Sequence, residues 1–302
     1  MLTLVDLDIP PEAKAQLSLV HSCLLGVLQE IDRVCGKNGL QYWLAGGSCL
    51  GAVRNRGFIP WDDDADVIMK REDFEALIAH RDDFGENFRL ALPSELDNDS
   101  FIDPVTRVYY LPSRLHEPGP RDAFYGDIQN HLWVDIFVYD QIPDNDLLGK
   151  VQYYQVLLLY MLLMGHRYKC DSSWNFTFFQ RLVVHTASAV GRLFPVGTLL
   201  YLYEKCSRRY NGRLHCGRYR GFTVTWDHVW IETPSVADVK SCVRVPFEGA
   251  SLPIPVGYDN YLRMIYGDYM SEPLRETILA EFNAKHYAYR DSGFRYKAPD
   301  SE

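Results

Sequence analysis

Four aspartates stand within five positions of this chain, Asp62, Asp63, Asp64 and Asp66, in "GFIPWDDDADV". Carboxylates this close repel one another, and a fold gains nothing from them unless positive charge sits among them. Strand residues two positions apart are roughly 6.5–7 Å apart along the backbone. Asp64 and Asp66, on one face of a strand, are thus a chelating pair for a divalent ion that prefers oxygen. Asp135, in "HLWVDIFVYD", can add a third carboxylate from another strand. Three such groups would hold one or two Mg²⁺ or Mn²⁺ ions and leave positions for phosphate oxygens. Ions so placed clamp the attacking and leaving oxygens of a displacement at phosphorus.

A second device lies just upstream, in "GGSCLGAVR". Gly46 and Gly47 let backbone N–H groups approach a phosphate closely, and a helix N-capped by Ser48 would turn its positive end toward the anion. Arg54, one and a half turns on, can reach the same phosphate as a charged donor.

Competing readings of these residues fail on spacing. A calcium loop starting at Asp62 needs glycine where Val67 stands and a bidentate acid at its twelfth position, where Asp73 stands. No G-K-[ST] follows the glycines, and Leu50 occupies the place of a nucleophile elbow's second glycine. The histidines and cysteines from His131 to Cys216 match no zinc spacing. Twenty tyrosines and six tryptophans contain enough rings for a cage around a quaternary ammonium, but core packing accounts for most of them. Arg107 is open between a donor-phosphate contact and an ion pair. Asp62 and Asp63 are open between supporting the metal pair and ending the strand, so all three stay outside the site set.

The elements that must position these residues follow from periodicity. Residues 11–35 put Leu17, Val20, Leu24, Val27, Leu28, Ile31, Val34 and Cys35 on one helix face, ending at Gly36 and "NG". "LQYWLA" reads as a strand entering the glycines, a short helix runs from Ser48 through Arg56, and a strand covers about 62–69. There Ala65, Val67 and Met69 face one way and Asp62, Asp64 and Asp66 the other. "REDFEALIAHRDDF" is an amphipathic helix, and strands lie near 88–92 and 106–111. In 131–140, Leu132, Val134, Ile136 and Val138 alternate with Trp133, Asp135 and Phe137. Beyond 143 come three helices (147–169, 174–193, 197–209), then strand-forming "YRGFTVTW" and "VRVPFEGASLPIPVG", then helices at "YDNYLRMIY" and "RETILAEFNAKHY". The fold class is α+β. A catalytic core spans 1–143, and 144–302 is a helical and β-rich part completing the cleft on the acceptor side.

The stretch "GGSCLGAVRNRGFIPWDDDADV" resembles the signature of the LicD/fukutin family, within the nucleotidyltransferase-fold superfamily. "REDFEAL" and "PFEGASLPIPVGYDNYLRMIYGDYM" are also similar to family segments, so the resemblance covers about 40–270. It implies a mixed sheet with flanking helices, a Gly-Ser turn at Gly47 and Ser48, a metal pair at Asp64 and Asp66, and a third carboxylate at Asp135. By superfamily analogy that third carboxylate lies nearest the acceptor. Ser48 stands where threonine is common, Ala65 where a larger aliphatic is usual, and 144–210 matches nothing specific. The resemblance implies a phosphotransferase moving phosphocholine, ribitol phosphate or a similar group from a CDP-linked donor to a sugar hydroxyl. The acceptor would be a cell-surface glycan, such as a lipopolysaccharide or teichoic-acid-like precursor, free or lipid-linked. Two alternatives share these devices: an NTP-dependent nucleotidyltransferase, and a catalytically silent glycan- or nucleotide-binding protein.

Composition narrows the partners. The chain has 302 residues, 47% hydrophobic, with formal charge −9, enough for a large core and unsuited to broad electrostatic binding of nucleic acid. Seven cysteines without a C-x-x-C pair point to reduced thiols in the cytoplasm. Residues 1–11 lack the apolar run of a signal peptide, and "VLLLYMLLMG" at 156–165 is too short to span a bilayer and reads as a buried helix. The expectation is a cytoplasmic protein that touches the inner membrane face only where a lipid-linked acceptor is presented.

Overall fold

The computed structural model describes residues 11–168, 178–222, 232–271 and 273–284. Helix α1 (Pro11–Asn38) buries all eight apolar positions of its predicted face. It runs three residues beyond the expected end, through Gly36, because the left-handed residue that stops it is Gly39, with φ +67°. Strand β1 shrinks to Trp43–Leu44. Helix α2 (Gly46–Arg54), strand β2 (Asp66–Lys70) and helix α3 (Arg71–Ala79) follow. β2 starts four residues later than the alternation suggests: residues 62–65 belong to no strand, so Asp64 does not share a strand face with Asp66 as expected.

Strands β3 (Phe88–Ala91) and β4 (Thr106–Tyr110) precede the short helix α4 (Pro120–Phe124) and the long strand β5 (Leu132–Ile142). Helices α5 (Asp146–Leu163), α6 (Phe178–Gly191) and α7 (Val196–Ser207) form a helical layer. Strand β6 (Arg218–Gly221), the hairpin β7 (Cys242–Phe247) and β8 (Ala250–Pro255), and helices α8 (Tyr258–Tyr266) and α9 (Arg275–Ala284) complete the chain. The strand expected beyond Phe222, in "TVTW", and the helix beyond Ala284 lie outside the described residues.

The protein is α+β. Its main sheet has the order β1-β2-β5-β4-β3, with β6 also on β5; β2 and β5 run parallel and the other pairs antiparallel. Strand β5 organises this sheet. Its Leu132, Val134, Ile136 and Val138 are buried, while Trp133, Asp135 and Phe137 are half-buried. One core of α1, α2, the sheet, the hairpin and α8 contains most of the buried side chains. A second cluster joins Phe101 and Ile142 to α5 and α7.

The helical layer is tied to the sheet by charge as well. Arg71, at the start of α3, donates from Nε and Nη2 to Asp140 of β5 at 3.0 and 2.6 Å, and from Nη1 to Glu204 of α7 at 2.5 Å. Asn211 donates to the same Asp140 at 2.6 Å. The apolar run 156–165, expected as a buried helix, is covered except for Leu158, whereas the first half of α5 has an exposed face. Gln152, Tyr153, Val156 and Leu163 are buried, whereas Leu147, Val151, Tyr154 and Leu158 are exposed. With the 3₁₀ turn that follows, Asp146–His166 is long and apolar enough to cross a membrane by length and composition.

Candidate active site

The site is built where α2 meets the start of β2. Ala45, not Ser48, is the N-cap of α2, and Gly46 opens the helix at φ +44°, a value that only glycine adopts at little cost. Ser48 therefore sits inside the first turn. Its hydroxyl, 5% exposed, accepts the Asp66 N–H at 3.0 Å, and Ala45 N–H donates to the Asp66 carbonyl at 2.9 Å. The residue expected to cap the helix instead fastens the glycine turn to the aspartate strand. A hydroxyl that accepts one bond keeps its own proton to donate.

The glycines face the carboxylates. A side chain at Gly46 would begin 4.0 Å from Asp66 Oδ2 and 3.6 Å from the Tyr266 hydroxyl; at Gly47 it would begin 2.8 Å from Asp62 Oδ2. Burial, and then the charges of Asp62 and Asp66, push the Tyr266 hydroxyl pKa up, so that group stays protonated. Behind the turn, Gly46 N–H donates to the Tyr261 hydroxyl at 3.0 Å, and Tyr261 donates to Glu232 at 3.1 Å. Tyr139 of β5 donates to the same Glu232 oxygen. This buried chain fixes the turn from below.

The carboxylates divide into two groups. Among the described residues, Asp62, Asp63 and Asp64 offer oxygens that all lie within 4.8 Å of one another. Asp63 is buried at 1% exposure, while Asp62 and Asp64 are half-buried. Asp66 and Asp135 are register partners on the parallel strands β2 and β5, which puts them about 4.8 Å apart at the backbone. Asp135 N–H donates to the Ala65 carbonyl at 3.1 Å. Asp64 thus groups with Asp62 and Asp63, apart from the cross-strand pair of Asp66 and Asp135.

Arg107, on the antiparallel neighbour β4, faces Asp135 in register. Its Nε donates to Asp135 Oδ1 at 2.8 Å, it lies 3.5 Å from Asp103, and its guanidinium stacks 4.7 Å from the Trp133 ring centroid. Burial opposes that charge, but Asp135, Tyr109 and Asp103 outweigh it and raise the pKa well above the ordinary arginine value. Of the two roles open to Arg107, the structure shows the ion pair.

Gly47, Arg54, Trp61, Asp62, Tyr266 and Tyr269 line one open cleft of about 310 Å³. Arg54 is 8% exposed, 5.9 Å from the Trp61 ring centroid, with Nη1 3.5 Å from the Tyr269 carbonyl. The aspartate turn is anchored from two sides. His21 Nε2 lies 2.7 Å from the Asp62 carbonyl while its ring stacks on Phe58 at 4.4 Å. Phe58 N–H donates to Glu248 at 3.2 Å, in the turn between β7 and β8. A carbonyl only accepts, so Nε2 carries the proton, and burial lowers the imidazole pKa.

Sequence reasoning gave no role to Tyr261, Tyr266, Tyr269, Glu232 or His21. The density of tyrosines in "YDNYLRMIYGDY" was the available signal for the first three. Nothing in the sequence marks His21 or Glu232, whose positions depend on packing between distant segments.

Residues 39–103 match the nucleotidyltransferase domain of LicD/FKTN/FKRP. That segment holds Gly46, Gly47, Ser48, Arg54, Asp64 and Asp66, whereas Asp135 lies beyond it. The lipopolysaccharide cholinephosphotransferase LicD of Haemophilus influenzae is 22% identical over 267 residues, covering 83% of this chain and 90% of that protein. Ribitol 5-phosphate transferase FKRP, from human and from mouse, is 46% identical over 55 residues, 17% of this chain and 11% of that protein. With the glycine turn and the aspartate motif inside the matched segment, the chain carries a stretch similar to the LicD/FKTN/FKRP nucleotidyltransferase domain, and its similarity to LicD extends along most of its length.

Proposed function

We propose that the protein is a metal-dependent phosphotransferase that moves phosphocholine, or a similar phospho-alcohol, from a CDP-linked donor to a sugar hydroxyl of a cell-surface glycan precursor. The observation that carries this reading is the joint made by Ser48 and Asp66. It fastens a glycine-opened helix start to the aspartate strand, next to the cleft that Gly47, Arg54 and Asp62 line, an arrangement suited to a phosphate donor arriving with a divalent ion. The names of the relatives, a cholinephosphotransferase and a ribitol 5-phosphate transferase, support the class of group transferred.

The residues fit Mg²⁺ or Mn²⁺. The donor set is all carboxylate oxygen, the choice of hard cations, and Asp62, Asp63 and Asp64 bring oxygens within 4.8 Å of one another. Asp64, Asp66 and Asp135 would hold the metal, with Asp62 and Asp63 completing the negative field. Bound there, it supplies charge neutralisation at the transferring phosphorus.

In this mechanism Gly46, Gly47, Ser48 and Arg54 hold the donor phosphates through N–H, hydroxyl and guanidinium donors. The acceptor hydroxyl attacks the distal phosphorus, a new phosphorus–oxygen bond forms, and the bond to CMP breaks with CMP carrying off the electron pair. With Oδ1 committed to Arg107, Oδ2 of Asp135 is the atom that would either hold the metal beside the hydroxyl or take the hydroxyl proton directly. Alignment and preorganised charge supply most of the rate, as in phosphoryl transfer generally.

Thermal unfolding with CDP-choline, CDP-ribitol, CDP-glycerol and each NTP, with and without Mg²⁺, tests the reading. One CDP-linked donor is expected to raise the melting temperature in a concentration- and Mg²⁺-dependent way. Stabilisation by an NTP alone would favour a nucleotidyltransferase, the name given to the matched domain. Stabilisation with no turnover on any acceptor would favour a silent binding protein.

A further inference from the structure

Helix α5 shows an uninterrupted apolar stripe to the outside: Leu147, Val151, Tyr154 and Leu158, between 45% and 70% exposed. Their spacing keeps them on one face. Around it, Phe178 at the start of α6 is 85% exposed, and Leu193, just after α6, is 78% exposed. Apolar surface on this scale marks a contact with something other than water.

Charge identifies what that is. Residues 144–213 carry nine Lys and Arg against four Asp and Glu, whereas the whole chain carries 31 against 40. The layer is therefore basic in an acidic protein. Between α5 and α7 an open groove is walled by Leu158, Leu159 and Leu202 and rimmed by Lys205, Arg209 and Arg213. Among the described residues none of these three cations pairs with a carboxylate. Arg209 donates to Gln155 at 2.6 Å, and Lys205 and Arg213 lie 5.7 and 5.5 Å from the ring centroids of Tyr201 and Tyr210.

We propose that the layer of α5, α6 and α7 seats the protein on an anionic phospholipid surface, with its helices lying in the headgroup region. An exposed apolar stripe bordered by cations is the pattern that binds such an interface. A second copy is the weaker occupant, because a symmetric contact would press two basic faces together. A span is disfavoured because the other face of α5 is committed to the folded protein. Gln152 is fully buried and donates to the Cys206 and Ser207 carbonyls of α7, and Glu204 of α7 pairs with Arg71.

The test is flotation of the full chain with vesicles of phosphatidylcholine alone or with phosphatidylglycerol, at low and high salt. Two variants accompany it: Lys205→Glu/Arg209→Glu/Arg213→Glu, and Leu147→Ser/Val151→Ser/Leu158→Ser, each confirmed as folded by its unfolding transition. Binding is expected to the anionic vesicles, to fall about tenfold or more in either variant, and to be released by carbonate. Failure to float with anionic vesicles would overturn the proposal. So would equal binding to neutral vesicles that the charge reversals leave unchanged, or carbonate-resistant retention. A lipid-free dimer dispersed by the serine variant would assign the face to a second copy instead.

Discussion

At the sheet, Val134, Ile136 and Val138 turn inward while Asp135 pairs with Arg107 and Asp140 with Arg71. In the helical layer the order is reversed, with Leu147, Val151 and Leu158 turned outward and Lys205, Arg209 and Arg213 lacking carboxylate partners among the described residues. Both regions belong to one fold, joined through Arg71. The sheet's residues are explained by folding and by the reaction proposed at its end. Those of the layer need an external surface. In this protein, an apolar residue is placed by what it will touch in the working state, which is not always its own core.

The largest expected effect tests the sheet side. Asp66→Asn keeps the shape of the side chain and removes a charge that would attract the metal, so turnover should fall roughly 10²–10³-fold or more. The unfolding midpoint should hold or rise, since repulsion among the aspartates is relieved. Denaturant unfolding and a CMP-release assay check both, and an unfolded variant would make the cluster structural. The next effect concerns the joint between the regions. Arg71→Met leaves Asp140, 1% exposed, with Asn211 but without its cation, and breaking a buried pair in this way costs about 3–5 kcal/mol. Urea unfolding measures it. A cost below about 1 kcal/mol would mean that the Arg71 ion pairs do not hold the layer in place.

How much of this was legible in the sequence differs between the regions for a physical reason. Alternation in 131–140 and helical spacing in 11–35 report which faces are buried, and both faces came out as read. So did the proximity of the glycine turn to the aspartates, because only sixteen residues separate Ser48 from Asp64. The role of Ser48 did not: its Oγ serves Asp66, and a partner across space leaves no periodic trace. Arg107 was readable only as a cation, since its partner is set by the register of β4 on β5. The apolar run at 156–165 came out covered except for Leu158, and the exposed Leu147, Val151 and Tyr154 precede it. Periodicity distinguishes one helix face from the other, but not which of them meets the core.

A third variant sharpens the reading of the glycine turn. In Gly47→Val the new side chain would start 2.8 Å from Asp62 Oδ2 and fill the space that the donor phosphate needs. Donor affinity should drop by about 1.4 kcal/mol or more, tenfold, with unfolding changed far less. Unaltered affinity in a folded variant would reduce the turn to a tight corner.

The smallest effect is one of pH. The His21 pKa is lowered by burial, so the unfolded state binds a proton that the native state refuses. Stability from this group is complete above the unfolded value of about 6.5 and is lost as pH falls toward the lower folded value, by at most about 1.4 kcal/mol per pH unit. His21→Gln should flatten part of that slope in urea titrations between pH 7 and 5. His131, also lowered by burial, should supply the remainder, and an unchanged slope would remove His21 from the account.

The central claim is that the aspartates hold a metal-dependent donor site and that Asp135 serves the acceptor. Calorimetric titration of the stabilising CDP-linked donor into the wild type, Asp66→Asn and Asp135→Asn, with Mg²⁺ and with a chelator, tests it most directly when run beside a transfer assay. The account predicts Mg²⁺-dependent binding in the wild type and its loss in Asp66→Asn. In Asp135→Asn it predicts retained binding without transfer, together with some loss of stability because Arg107 then depends on Asp103. Donor binding that ignores Mg²⁺, equal loss of binding in both variants, or normal transfer by Asp135→Asn would contradict it.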